Sequence, residues 1–211
     1  MCERDPRALE ITLERTDEGR CVVDGSPRLR QRPMGPLVEA LRTLGARIHA
    51  TDGGLPIRVD GGILEGRRVA IRPEVSSQFV SSLLLAGPLM RQDLILAVEG
   101  PMPSAPYLDL TEDVLRHFGA SVDVSPDRRE WRVKASPLEF TNYEVEADWS
   151  AAAFVFAAAG VAGGAVTINR LPLESRQGDR AVAKILAHGG LQISRAGEGL
   201  RLTGAVSAPF R

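Results

Sequence analysis

Ser76, Ser77 and Gln78 stand immediately ahead of the apolar residue Phe79, at the start of a stretch that reads as a helix. The first amides of a helix have no partner within it, and the helix dipole adds partial positive charge at that end. Two hydroxyls and a carboxamide add further donors, so the chemistry offered is the holding of an anion such as phosphate. Arg32 precedes Pro33 near the start of another helical stretch, where a guanidinium can grip a carboxylate or phosphate with two parallel hydrogen bonds. Pro33 suits a first helical turn, and Arg28 and Arg30 add positive potential nearby. Ser104 and Tyr107 lead into a third helical stretch, where a hydroxyl can donate to a ligand oxygen and a ring can pack on it. Read locally, each group also has a structural explanation. The serines can cap a buried helix, Arg32 can be a solvated turn, and Tyr107 a half-buried anchor.

The elements that must position these residues repeat. Gly45, Gly119 and Gly190 recur at intervals of roughly seventy residues. Each closes an amphipathic stretch: 37–44, 110–118 and 181–188. Glycine there takes the left-handed conformation cheaply. Two alternating strands follow each one, at 47–50 and 55–59, 121–124 and 130–134, and 191–194 and 200–203. The second and third copies also share an apolar helix (76–90 and 149–161) followed by a strand (94–98 and 165–168). The shared unit reads β-α-β-α-β-β, with the apolar helices inside. The first copy is incomplete, because residues 2–16 are charged and carry Pro6, which rules out an apolar core helix.

Composition narrows the function classes. A net charge of −1 argues against a general nucleic-acid or polybasic membrane binder, and 5% aromatic content argues against base-stacking platforms. Cys2 and Cys21 have no metal-ligand spacing and form no disulfide framework. There is no signal peptide, and the apolar run 151–162 is too short to span a bilayer, so the chain reads as a soluble cytoplasmic protein. Asp148 and Asp179 read as structural residues at helix starts, and His49, His117 and His188 form no catalytic triad. No nucleotide-binding loop or metal motif is present.

Arg32-Pro33-Met34, Val75-Ser76-Ser77-Gln78-Phe79, Pro106-Tyr107-Leu108-Asp109, Glu146-Ala147-Asp148-Trp149-Ser150 and Gln177-Gly178-Asp179, in this order, resemble the enolpyruvyl transferases, specifically the 5-enolpyruvylshikimate-3-phosphate synthases. The resemblance runs from about Cys21 to about Gly204. It implies an α/β fold, an incomplete inside-out α/β barrel. Residues 1–20 would be a non-matching segment. Residues 21–142 would be two units, the first incomplete, of the shikimate-phosphate-binding domain, and 143–211 one unit of the second domain.

The implied reaction transfers an enolpyruvyl group from phosphoenolpyruvate to the 5-hydroxyl of shikimate 3-phosphate, by addition and elimination, with no metal or organic cofactor. Ser76, Ser77 and Ser104 match phosphate-holding serines. Gln78 matches a glutamine between the two substrates, Tyr107 a tyrosine near the shikimate ring, and Arg32 an arginine that binds phosphoenolpyruvate.

The family's Lys-Ser…Arg constellation, Asn-Ala-Gly-Thr segment, aspartate base and Lys-Glu pair have no counterpart here. The chain therefore reads as the middle half of such an enzyme, with no catalytic residue of its own, expected to bind shikimate 3-phosphate weakly or not at all and not to turn over. A complementing chain or self-association through an exposed core would follow. The alternatives are a non-catalytic anion-binding or interaction module derived from that enzyme and, less favoured, a UDP-N-acetylglucosamine enolpyruvyl transferase. The latter's reactive cysteine loop has no match at Cys2 or Cys21.

Overall fold

A computed structural model describes residues 11–15, for which the backbone alone is considered, and residues 20–72, 76–102 and 104–205. The chain divides into two compact units, Met1–Phe140 and Thr141–Arg211.

The first unit opens with strands β1 (Ile11–Arg15) and β2 (Cys21–Gly25) and the short helix α1 (Pro27–Arg30). Helix α2 (Gly35–Thr43) and strands β3 (Ile48–Thr51) and β4 (Gly54–Val59) follow. These strands form an antiparallel sheet in the order β1-β2-β4-β3. Next come β5 (Arg68–Ile71), α3 (Gln78–Ala86) with a 3-10 turn (Gly87–Leu89), and β6 (Leu94–Val98). Helix α4 (Pro106–His117) and strands β7 (Val122–Val124) and β8 (Glu130–Val133) complete it. The second sheet has the order β5-β6-β8-β7, with β5 parallel to β6 and the other pairs antiparallel.

Packing follows from the spacing of apolar residues. Helix α3 buries Phe79, Val80, Leu83 and Leu84, at three- and four-residue steps, in the larger core with Leu94, Leu96, Trp131 and Val133. Helix α2 serves two cores. Ala40 and Leu44 join the α3 cluster, whereas Val38 packs with Ile48, Leu55 and Ile57.

The second unit holds α5 (Trp149–Ala162), β9 (Ala165–Ile168), a 3-10 turn (Gly178–Ala181), α6 (Val182–His188), β10 (Gln192–Ala196) and β11 (Gly199–Thr203). Its antiparallel sheet is ordered β10-β11-β9. Helix α5 buries the stripe Trp149, Ala152, Phe156 and Gly160 against Leu171, Leu191 and Leu202, while Phe154, Val155 and Val161 on its other sides are exposed.

One motif is common to all three copies: a strand, a helix, and a hairpin whose second strand pairs antiparallel with that first strand. It is seen in β2-β4-β3, β6-β8-β7 and β9-β11-β10. Gly45, Gly119 and Gly190 close the helices at φ of 100°, 80° and 90°, in the region expected from the sequence.

The full β-α-β-α-β-β unit is displayed by the middle copy. The third has no strand ahead of α5, because residues 134–147 carry none. In the first copy the edge strand β1 runs antiparallel to β2, where β5 runs parallel to β6. The reason is connection length. A parallel partner needs a crossover of a dozen or more residues, and too little chain lies between Arg15 and Cys21 for that. No helix among the described residues is long and apolar enough to cross a membrane.

Candidate functional site

Helices α3 and α4 pack side by side in the first unit, and a cavity of about 400 Å³ opens at their N-terminal ends. The α3 side supplies Ser76, Ser77, Gln78 and Ser81, and the α4 side Ser104, Tyr107, Leu110 and Thr111.

The start of α3 departs from a plain capped end. Ser77, the residue before the helix, is already in helical geometry at φ −63° and ψ −17°, and its side chain makes no capping bond. Ser76 takes over the capping role, its Oγ accepting from the Gln78 amide at 3.1 Å. The Ser77 side chain is therefore not used in the turn, although the residue is only 4% exposed and lines the cavity. Its hydroxyl, not committed to the cap, is placed where a ligand oxygen in the cavity can take its proton. Ser76 keeps its own proton to donate, and neither serine brings a charge to answer the dipole of α3.

Across the cavity, Ser104 holds a left-handed φ of 55° in the turn leading into α4. Such a conformation costs a non-glycine residue about 1–2 kcal/mol and tends to persist where a site needs it. The Tyr107 amide donates to the Ser104 carbonyl at 3.1 Å, fixing the tyrosine one turn from the serine.

The cavity thus gathers Ser76, Ser77, Gln78, Ser104 and Tyr107. Arg32 belongs to the same unit but is not among the lining residues. It is exposed in the turn between α1 and α2, its amide donating to the Leu29 carbonyl at 3.1 Å. Two details of the basic segment differ from expectation. Pro36, not Pro33, sits in the first turn of α2, because the Met34 amide is held by the Gly53 carbonyl and the helix starts only at Gly35. Arg30 adds little free potential, since its Nε and Nη2 donate to the two Asp24 carboxylate oxygens at 2.8 and 2.5 Å. The Arg30 hydrogen bond, with help from the Gly25 amide, holds the Asp24 carboxyl below its ordinary range.

The second unit offers a different cavity of about 380 Å³, lined by Glu144, Val145, Glu146, Arg170, Pro172 and Glu198. Three carboxylates against one guanidinium repel an anion. The Glu146 carboxylate is already engaged, accepting from Ser175 Oγ at 2.6 Å and Gln177 Nε2 at 2.8 Å. Asp148 caps α5 by accepting from the Ser150 and Ala151 amides at 2.8 and 3.3 Å, and Asp179 accepts from the Ser150 hydroxyl. Gln177 is buried there, accepting from the Trp149 amide and donating to Ala147 O. These residues tie the 172–180 loop to α5.

Ser81 and Thr111 were not singled out from the sequence. The signal that could have found them is spacing: each lies four residues past a lining residue, Ser77 or Tyr107, and so on the same helical face.

Comparison with known proteins adds the following. A family model described as EPSP synthase (3-phosphoshikimate 1-carboxyvinyltransferase) matches residues 8–208, beginning earlier than residue 21. A 3-phosphoshikimate 1-carboxyvinyltransferase of Methanothermobacter thermautotrophicus is 39% identical over 193 residues, covering 90% of this chain and 45% of the relative. That of Methanoculleus marisnigri is 43% identical over 162 residues, covering 75% and 38%. The chain thus spans about half the length, or less, of these curated relatives. Among solved structures, EPSP synthase from Acinetobacter baumannii superimposes with a TM-score of 0.63 at 27% identity, over 89% of this chain and 43% of that one. The enolpyruvyl transferase NikO from Streptomyces tendae gives 0.58 at 17% identity, over 87% and 44%, a likeness of fold.

Proposed function

The chain belongs to the EPSP synthase family, a family of enzymes, and from that membership we propose that it supplies the shikimate 3-phosphate side of an enolpyruvyl-transfer site. The reaction of the whole enzyme joins the 5-hydroxyl of shikimate 3-phosphate to the central carbon of phosphoenolpyruvate. A tetrahedral intermediate then loses phosphate to give the enol ether. In this reading Ser76, Ser77 and Ser104 hold the phosphate of the sugar acid, Tyr107 lies beside its ring and Gln78 lies between the two substrates. Arg32 meets phosphoenolpyruvate. The first unit is then part of the shikimate-phosphate-binding domain, and the second unit one module of the other domain. A cytoplasmic location accompanies the reading.

The observation that supports it most is the Ser77 hydroxyl, unused by the cap of the helix it precedes, beside six other polar residues in one cavity at a helix N-terminus. Among the described lining residues a dianionic ester meets donors and no carboxylate. Such preorganised donors position a substrate; the transfer itself needs a group that moves protons, and the chain carries no counterpart of the family's aspartate base or Lys-Glu pair.

The test is a titration of the isotopically labelled chain with millimolar shikimate 3-phosphate, followed by amide resonances. The proposal expects weak saturable shifts at Ser77, Gln78 and Tyr107. Ser77→Val should raise Kd about tenfold or more, the scale of one hydrogen bond to a charged group. No phosphate should be released when phosphoenolpyruvate is added. Equal binding by the variant, or no binding by the parent, would refute the site.

A further inference from the structure

We infer that Ser81 and Thr111 form a positioning pair that fixes Tyr107 relative to the start of α3, an inference that rests on the function proposed above. Thr111 Oγ1 lies 2.9 Å from Ser81 Oγ and 2.8 Å from the Tyr107 carbonyl oxygen. A carbonyl can only accept, so the single proton of Thr111 goes to Tyr107. Thr111 must then accept from Ser81, and the link has one direction: Ser81 donates to Thr111, which donates to Tyr107.

The neighbouring residue shows that this is not the default. Ser82 spends its proton inside its own helix, donating to the Phe79 carbonyl at 2.9 Å. Ser81, one position earlier, crosses instead to α4.

The consequence lies in the geometry of the cavity. Ser81 is one helical turn beyond Ser77 on α3, and Thr111 one turn beyond Tyr107 on α4, and all four line the cavity. A bond of fixed length between the inner pair therefore sets the gap between the outer pair. It also ends on the peptide unit of Tyr107 itself. Both residues are half-buried, and the contact between the two hydroxyls is partly shielded from water. The pair touches neither reacting atom in the reading above. Its effect is exerted through Tyr107 and through the spacing of the two helix ends.

The experiment uses the full chain with three substitutions. Thr111→Val keeps the shape and removes the hydroxyl, Ser81→Ala removes the donor, and Thr111→Ser keeps the hydroxyl. The expected result has two parts. Without ligand, Thr111→Val and Ser81→Ala shift the amide resonances of Gln78 and Tyr107, and Thr111→Ser leaves them in place. With shikimate 3-phosphate, the first two variants lose about threefold to tenfold in affinity, the scale of one neutral hydrogen bond, and Thr111→Ser binds like the parent. All three should keep the parent's thermal midpoint to within a few degrees, which separates positioning from general loosening. If the parent binds and Thr111→Val and Ser81→Ala bind equally well, the positioning role falls while the proposed function stands. If the parent does not bind, the function falls and the role falls with it.

Discussion

Replacing Arg128 tests how the first unit holds α4, and therefore Tyr107. Arg128 lies in the β7–β8 turn, and its Nη2 donates to the carboxylates of Asp109 and, at 2.8 Å, Glu112. The Glu112 side chain is 5% exposed and also accepts from the Trp131 indole at 2.8 Å and from Arg116 at 3.4 Å. Removing one partner of a fully buried ion pair costs about 3–5 kcal/mol, mostly because the other charge is stranded. Here Arg116 remains, and the Arg128 side chain is 41% exposed, so water offsets part of the loss. Arg128→Ala should therefore cost about 2–3 kcal/mol, well above the 0–1 kcal/mol of an exposed pair. Arg128 also holds a φ of 53°. Arg128→Gly removes the same guanidinium but relieves the left-handed backbone, and should be about 1 kcal/mol more stable than the alanine variant. Adding Glu112→Gln to Arg128→Ala removes the stranded charge and should restore about 1–2 kcal/mol. Urea unfolding followed by the indole proton of Trp131 measures all four proteins in the element that matters. A cost below about 0.5 kcal/mol for Arg128→Ala, or a double variant less stable than the single, would show that Glu112 is not a buried charge in need of this cation.

Gly66 has φ 71°, and a β-carbon there would lie 1.9 Å from the Gln92 carbonyl oxygen; Gly66→Ala should cost more than about 2 kcal/mol in urea unfolding, and a loss under about 0.5 would be a contradiction. Arg30, by its side-chain hydrogen bond, lowers the Asp24 pKa from 3.8, so the folded value lies below the unfolded one. The β2–α1 link is then fully present above the unfolded pKa and is lost as pH falls through the folded pKa. Carboxyl NMR should place the Asp24 inflection below 3.8 in the parent and nearer 3.8 in Arg30→Met. On α5, Phe154 and Val161 are 79% and 81% exposed on a helix that carries no charged residue, which favours association of copies. Light scattering should show mass rising with concentration in the parent and falling back in Phe154→Glu/Val161→Glu; a parent monomeric at high concentration would end that expectation.

Local chemistry was readable wherever one residue type had one physical reason to be present. The three glycines after amphipathic runs take the left-handed backbone, and alternation located the strands that follow them. What depended on partners distant in sequence was harder to read. Ile11 to Arg15 does alternate apolar and polar residues, yet nothing in those five residues shows that they pair with Cys21 to Gly25 rather than cross over. The segment ahead of α5 looks strand-like in Tyr143 to Ala147 but makes no ladder. The polar groups of the cavity come from α3 and α4, about thirty residues apart, and spacing alone does not bring two helix ends together. The family resemblance supplied that link for Ser76, Ser77, Gln78, Ser104 and Tyr107. It did not supply Ser81 and Thr111, whose role depends on where two protons go.

The middle and third copies share a topology, and the residue at the helix start distinguishes what each can hold. Helix α5 opens on Asp148, whose carboxylate takes the Ser150 and Ala151 amides for itself. A charge of the right sign is already covalently attached to that end, so the dipole is answered within the fold. The nearby cavity is acidic as well, with Glu144, Glu146 and Glu198. Helix α3 opens on neutral Ser76 and Ser77. One hydroxyl satisfies one amide, the other makes no cap bond, and neither serine brings a charge to that end of the helix. Two helices in equivalent places of a repeat therefore differ in the charge of the residue at their start. A carboxylate closes the end as structure, and in the proposed reading a pair of serines leaves the other end to a charged ester.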